Sequence, residues 1–108
     1  MRVLFYFEAL GVREDVVKEA LNGLFEKLDK EKKVEIYKKE FLDIKKIKNP
    51  LPGIKEGVSQ VFSVELVVKN YDDLISTIIE YGPSSIEILE PERLELDAFE
   101  AVSYTHLR

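Results

Sequence analysis

The sequence predicts a single α+β domain, and three observations support this class. Four apolar segments alternate between two faces, as β-strands do, and two further segments repeat at helical spacing. The elements follow one another in the order strand, helix, strand, strand, helix, strand. Hydrophobic residues make up 45% of the 108 residues and charged residues 34%, which is the composition of a globular protein with one core.

The first strand and the first helix follow from regular periodicities. Residues 2–10 alternate between two faces, and Gly11 ends the strand. Residues 14–30 repeat apolar side chains at helical spacing, which predicts one buried stripe. Acidic residues begin this helix and lysines end it, which the helix dipole favours.

The second strand is less regular than the first. Residues 34–44 place most of their apolar side chains on one face, but charged residues interrupt that face, and Tyr37 and Phe41 lie on the other. Such a broken alternation is typical of an edge strand or a β-bulge. Residues 45–57 contain the segment Asn-Pro-Leu-Pro-Gly and are predicted to form one long loop.

A third strand, a capped helix and a fourth strand complete the predicted domain. Residues 58–69 and residues 84–89 form these strands. Asn70 begins the second helix as its cap, and Gly82 ends it. The positions expected to be most buried lie in the middle of elements, on inward faces: Phe5, Phe62, Leu66 and Ile78.

This order of elements predicts a ferredoxin-like βαββαβ sandwich. Both helices would cover one face of a four-stranded antiparallel sheet in the strand order 4-1-3-2, since strand–helix–strand crossovers are right-handed. The second face would carry a mixed apolar and charged interaction surface: Tyr6, Glu8, Tyr37, Phe41, Val61, Glu65 and Val67. We expect a second copy of the chain, another protein or a C-terminal helix to cover this surface.

The C-terminal residues differ in character from residues 1–96, which we assign to the ferredoxin-like domain. Residues 97–101 are expected to begin a helix that is truncated, with Asp97 as its cap. Residues 102–108, Val-Ser-Tyr-Thr-His-Leu-Arg, resemble translated sequencing-adapter sequence. We expect this tail to be non-native and exclude it from the fold prediction.

Residues 81–94 resemble a segment of a known family. They read Tyr-Gly-Pro-Ser-Ser-Ile-Glu-Ile-Leu-Glu-Pro-Glu-Arg-Leu, and the matching positions are Gly82, Glu87, Leu89, Glu90, Pro91 and Leu94. The segment is similar to the closing strand of the C-terminal extension domain of WYL-type transcriptional regulators. This resemblance implies a ferredoxin-like fold but no role in transcription, because the regulators' DNA-binding helices have no counterpart here. The whole chain also resembles small archaeal proteins that join such a sandwich to a C-terminal helical segment.

Catalytic and metal-binding constellations are absent from the sequence. The chain has no cysteine, and its one histidine, His106, lies in the tail expected to be non-native. A Cys–His dyad, a Ser–His–Asp triad and a zinc site of Cys or His ligands are therefore excluded. Glu8 and Glu65 would face each other on adjacent strands, but two carboxylates without a histidine more often contact solvent or a partner. We expect a protein that is not an enzyme and has no cofactor.

The charges of the chain are segregated along the sequence. Residues 27–55 contain ten lysines and five acidic residues, whereas residues 70–100 contain one arginine and nine acidic residues. The predicted sheet would thus have a basic edge at its second strand and an acidic edge at its fourth strand. The formal net charge is −5, and the third strand has no outward aromatic residue, so nucleic acid is an unfavourable partner.

Two functions from different classes are consistent with these features. The first is a non-catalytic module that self-associates or binds another protein, and the second is a small-ligand-sensing regulatory domain. RNA binding through the second sheet face is a third alternative, which the charge opposes. No signal peptide and no apolar run of ~20 residues occur, so we expect a cytoplasmic protein without membrane contact.

Overall fold

The computed structural model describes residues 1–90 and 94–97. Its elements, in chain order, are β1 (Arg2–Gly11), α1 (Glu14–Asp29), β2 (Val34–Phe41), β3 (Lys45–Leu51), β4 (Ile54–Val68), α2 (Tyr71–Tyr81), β5 (Ser85–Glu90) and β6 (Leu94–Asp97). The α+β class is confirmed, with two helices and one antiparallel sheet. The sheet contains six strands in the described residues, so the predicted count of four is too low.

The sheet is built around β4, its longest strand. The strand order is β2-β4-β1-β5-β6, and β3 pairs with β4 on the same side as β2. On one side, β4 pairs with β1 from Arg2↔Val67 to Gly11↔Val58. On the other side, its C-terminal part pairs with β2 and its N-terminal part with β3. The chain therefore follows one edge of the sheet twice, first as β2 and then as β3.

One face of the sheet and both helices form a single hydrophobic core. The buried side chains of β1, β4 and β5 lie in one cluster with those of α1 and α2. Phe5, Phe62 and Leu66 have no exposed surface and Ile78 has 3%, which confirms their predicted core positions. Because the two helices pack on the same face, no helix in the described residues covers the other face.

The ends of α2 follow the sequence prediction. The Asn70 side-chain oxygen accepts a hydrogen bond from the backbone N–H of Asp73 at 2.9 Å, which satisfies a donor that the first turn leaves unpaired. Gly82 ends the helix with a φ of 61°, in the left-handed region that favours glycine. The first helix begins differently, since Arg13 stands at its N-cap and makes no side-chain cap hydrogen bond.

A bulge in β2 corrects the predicted faces of this strand. The pairing register with β4 shifts between Ile36 and Lys38, so an extra residue reverses the alternation beyond that point. Phe41 consequently lies on the helix side, where its ring stacks on Phe62 with centroids 4.5 Å apart. The prediction that Phe41 belongs to the second face was wrong, and β2 ends at this residue rather than at residue 44. The alternatives offered by its broken pattern, an edge strand and a bulge, both occur.

Residues 45–57 form a β-hairpin rather than the predicted loop. Lys48 pairs with Glu56 and Leu51 with Ile54, and Gly53 in the turn between the strands has a φ of 83°. Residues 54–57 extend beyond the last pair that β4 makes with β1. We call residues 45–57 the arm. Those of its side chains that the structure describes are mostly exposed, so the sequence lacks the period-two apolar pattern that reveals half-buried strands.

A sixth strand follows β5, where the sequence indicated that the sheet would end. Leu94–Asp97 pairs with β5 from Ile88↔Leu94 to Ser85↔Asp97. The acidic fourth predicted strand, β5, is therefore not an edge strand. Asp97 is the last residue of β6, and the predicted helical residues 98–101 and tail 102–108 lie outside the described residues. Neither described helix has the length and apolar character required to span a membrane.

Candidate interaction surface

The side of the sheet away from the helices is the candidate functional surface. Paired residues on neighbouring strands share a face, and Val3, Phe5 and Phe7 point into the core. We call the opposite side the open face. It comprises Arg2, Leu4, Tyr6, Glu8 and Leu10 of β1, Glu35, Lys38 and Glu40 of β2, Ser59, Val61, Ser63, Glu65 and Val67 of β4, and Ser85, Glu87 and Glu90 of β5.

The structure brings five of the seven predicted surface residues together on this face. They come from the two central strands: Tyr6, Glu8, Val61, Glu65 and Val67. Tyr37 lies at the bulge of β2 and is 69% exposed, whereas Phe41 packs on the helix side. An exposed apolar side chain lies near each end of the open face: Val67 is 40% exposed at one end, and Leu10 is 50% exposed at the other.

Arg2 connects three strands at one end of the open face. Its guanidinium lies 3.5 Å from Glu65 Oε2 on β4 and 3.5 Å from Glu90 Oε1 on β5. The Glu65 side chain is only 17% exposed, so this ion pair is partly shielded from solvent. The role of Arg2 was not predicted from the sequence, although its position two residues before Leu4 places both residues on the same face of β1.

The two carboxylates considered for acid–base chemistry are not opposite each other. Glu8 pairs with Val61, whereas Glu65 pairs with Leu4. Four residues of β1 therefore separate the two positions, which is roughly 13 Å along a strand. This distance rules out direct contact between the two carboxylates. Among the side chains that the structure describes, no three acidic or histidine residues cluster closely enough to hold a metal ion.

A cleft of about 270 Å³ opens on this face between the central strands and the β2 edge. Tyr6, Ser63 and Glu65 line one wall, and Lys38 and Glu40 line the other. The cleft thus presents hydroxyl, carboxylate and ammonium groups together. Its volume lies just below the ~300 Å³ at which pockets for small molecules usually begin. It can accommodate one or two side chains of a partner.

The open face and the arm carry opposite charges. The open face has six glutamates, which are Glu8, Glu35, Glu40, Glu65, Glu87 and Glu90, against the cations Arg2 and Lys38 and, where the arm begins, Lys45, which pairs with Ser59. The arm has four lysines, which are Lys45, Lys46, Lys48 and Lys55, against one acid, Glu56. The lysines were visible in the sequence, but their place on a projecting hairpin was not.

A second polar cluster lies away from the open face, where the C-terminal ends of the helices meet. The Tyr81 hydroxyl donates a hydrogen bond to Glu31 Oε2 at 3.0 Å, and Lys33 Nζ donates to Ser76 Oγ at 2.6 Å. Burial and then the neighbouring Glu31 carboxylate raise the pKa of Tyr81 to about 12. These contacts connect the end of α1 to α2 and are explained by that structural role.

Comparisons with known proteins identify a family to which the chain belongs. No curated protein sequence matches the chain. The sequence profile described as the MJ0538 family matches residues 2–105. The match continues into residues 102–105, so it gives no support to a non-native tail, and it gives none to the similarity with WYL-type regulators. Because it covers nearly the whole length, the chain belongs to the MJ0538 family.

Proposed function

We propose that this protein is a non-catalytic interaction module that associates with a second copy of itself through the open face. The observation that carries the proposal is a sheet face with exposed apolar residues, over which no described helix packs. Val67 and Leu10 contribute the exposed apolar area, and Tyr6 and Val61 are half-buried between them. Apolar area framed by charged residues is typical of protein contact surfaces.

A second copy is the occupant that the charges favour. The open face is acidic, and the same chain carries an excess of lysine on residues 27–55. A second copy can therefore supply cations to the first while receiving the same contact in return, as two-fold dimers do.

We also propose that the order β2-β4-β1-β5 with its two helices is a ferredoxin-like core, to which β3 and β6 are additions.

Sedimentation of wild-type protein and two neutral variants tests the proposal. We expect wild-type particles of twice the 12.5 kDa chain mass. Val67→Gln combined with Leu10→Gln removes the exposed apolar contact without changing charge and should give monomers. Ile79→Gln is the matched control, because Ile79 is 72% exposed on α2, away from the open face. A wild-type protein that stays monomeric at high concentration would overturn the proposal.

The cleft favours a second candidate function, the binding of a small zwitterionic ligand. Lys38 and Glu65 lie on opposite walls and offer one cation and one anion. A saturable rise in melting temperature with free amino acids would support a ligand-sensing role. Glu65→Gln should reduce that rise, whereas Glu26→Gln on α1 should leave it unchanged. An RNA role for this face is disfavoured, because its glutamates would repel phosphates.

A further inference from the structure

We infer that the arm docks on the acidic open face of a second copy. This inference rests on the proposed self-association and specifies the segment that makes the contact. The arm is a two-stranded projection: residues 54–57 of β4 pair with β3 on one side and have passed the end of β1 on the other. Four strand residues extend roughly 13 Å, so the arm can reach a neighbouring molecule.

The lysines of the arm have no anionic partner among the described residues. Lys45, Lys46, Lys48 and Lys55 are exposed, and none of them forms an ion pair in the described part of the chain. The same holds for Glu8, Glu35 and Glu40 on the open face. These lysines and these three glutamates have opposite charge and lie on different surfaces of one chain, so the two surfaces are complementary between copies. Their attraction would mainly speed association and fix the orientation of the two molecules.

The arm also offers apolar contact. Ile47 and Ile54 are half-buried on a hairpin over which neither described helix packs. Beside the arm, Val12 is 56% exposed and borders a cleft of about 240 Å³ that Ile47 and Lys46 also line. A nucleic acid would use the lysines but not these apolar groups. A protein surface that combines exposed Val67 and Leu10 with glutamates matches both properties of the arm.

A reciprocal arrangement lets each arm reach the open face of the other molecule. In a two-fold dimer both contacts are identical, so the lysines of each arm meet the glutamates of its partner. Direct stacking of two open faces would instead oppose one acidic surface to another. The arm contact therefore explains how an acidic face can be a self-association surface.

Charge reversal in the arm provides the test. Lys46→Glu with Lys55→Glu should weaken the dimer in sedimentation by roughly tenfold or more. Lys46 lies opposite Val58, so its reversal creates no facing acid pair within the arm. Lys18→Glu with Lys27→Glu on α1 makes the same change in net charge and should leave the dimer intact. Circular dichroism of every variant checks that the fold is retained.

A compensating variant makes the test specific. Glu8→Lys and Glu40→Lys on the open face should restore the dimer when they are combined with Lys46→Glu and Lys55→Glu in the arm. The complementary charges are then exchanged between the two surfaces. If the neutral open-face variant abolishes the dimer while the reversed arm does not weaken it, self-association stands and the arm contact is wrong. A monomeric wild type overturns both proposals. The last outcome concerns nucleic acid. If wild-type protein binds an RNA oligonucleotide, and Lys46→Glu with Lys55→Glu abolishes this binding but leaves the dimer unchanged, the arm binds nucleic acid instead.

Discussion

Phe41 stacks on Phe62 and also meets the ring of Phe25 edge-on, with centroids 6.5 Å apart. Phe41→Ala removes these contacts from a partly buried site and should lower the free energy of unfolding by about 2–4 kcal/mol. Tyr37 lies on the same strand and is 69% exposed, so Tyr37→Ala should change the free energy of unfolding by less than about 0.5 kcal/mol. Urea unfolding of both variants checks this. Equal effects would contradict the placement of Phe41 on the helix side.

The ionisation of the Tyr81 hydroxyl makes the stability of the folded protein depend on pH. Burial and the Glu31 carboxylate raise the pKa of Tyr81 from 10.0 to about 12, so the folded chain retains the phenolic proton after the unfolded chain has lost it. This contribution is complete below pH 10 and is lost as the pH rises through about 12. The stability difference between wild type and Tyr81→Phe should shrink across that window. The difference in phenolate absorbance between the two proteins should titrate near pH 12, and a midpoint near 10 would contradict the raised pKa.

The beginnings of the two helices offer a comparison between a capped and an uncapped element. Asn70 caps α2 through its hydrogen bond to Asp73, so Asn70→Ala should cost about 1 kcal/mol of stability. Arg13 makes no such bond at the start of α1, and its ion pair with Asp15 is exposed. Arg13→Ala should therefore have little effect on the unfolding midpoint. A larger loss for Arg13→Ala than for Asn70→Ala would show that the caps do not control these helix ends.

Local sequence patterns correctly predicted the elements that bury one regular face. The predictions from these patterns were wrong where the structure of a segment depends on its pairing with a neighbouring strand. Tyr6, Val61 and Val67 lie on strands with unbroken alternation, so their common face could be predicted. The phase of Phe41 depends on a bulge whose position is fixed only by pairing with β4. The arm was missed for a related reason, since two prolines and a glycine dominate residues 45–57, and the pairing partner that extends them is β4 itself.

At the scale of the molecule, the described residues include a lysine-rich arm and an acidic open face. Edge strands often carry lysines because charge prevents uncontrolled pairing with other strands, and this alone could account for the composition of β2 and β3. Protection of an edge requires no acidic counterpart, however. Four of the open-face glutamates, which are Glu8, Glu65, Glu87 and Glu90, lie on β1, β4 and β5. These strands are paired on both sides, so they have no backbone edge that charge would need to protect. Complementarity between copies accounts for both surfaces at once.

Salt dependence separates these two explanations. The screening length falls from about 10 Å at 0.1 M salt to about 3 Å at 1 M, so a contact between arm lysines and open-face glutamates should weaken as salt increases. The apolar contribution of Val67 and Leu10 is not screened, and some dimer should persist at high protein concentration. In sedimentation, the wild-type dissociation constant should rise with salt, whereas that of Lys46→Glu with Lys55→Glu should change much less. A wild-type constant that is equal at both salt concentrations would leave edge protection as the role of the lysines.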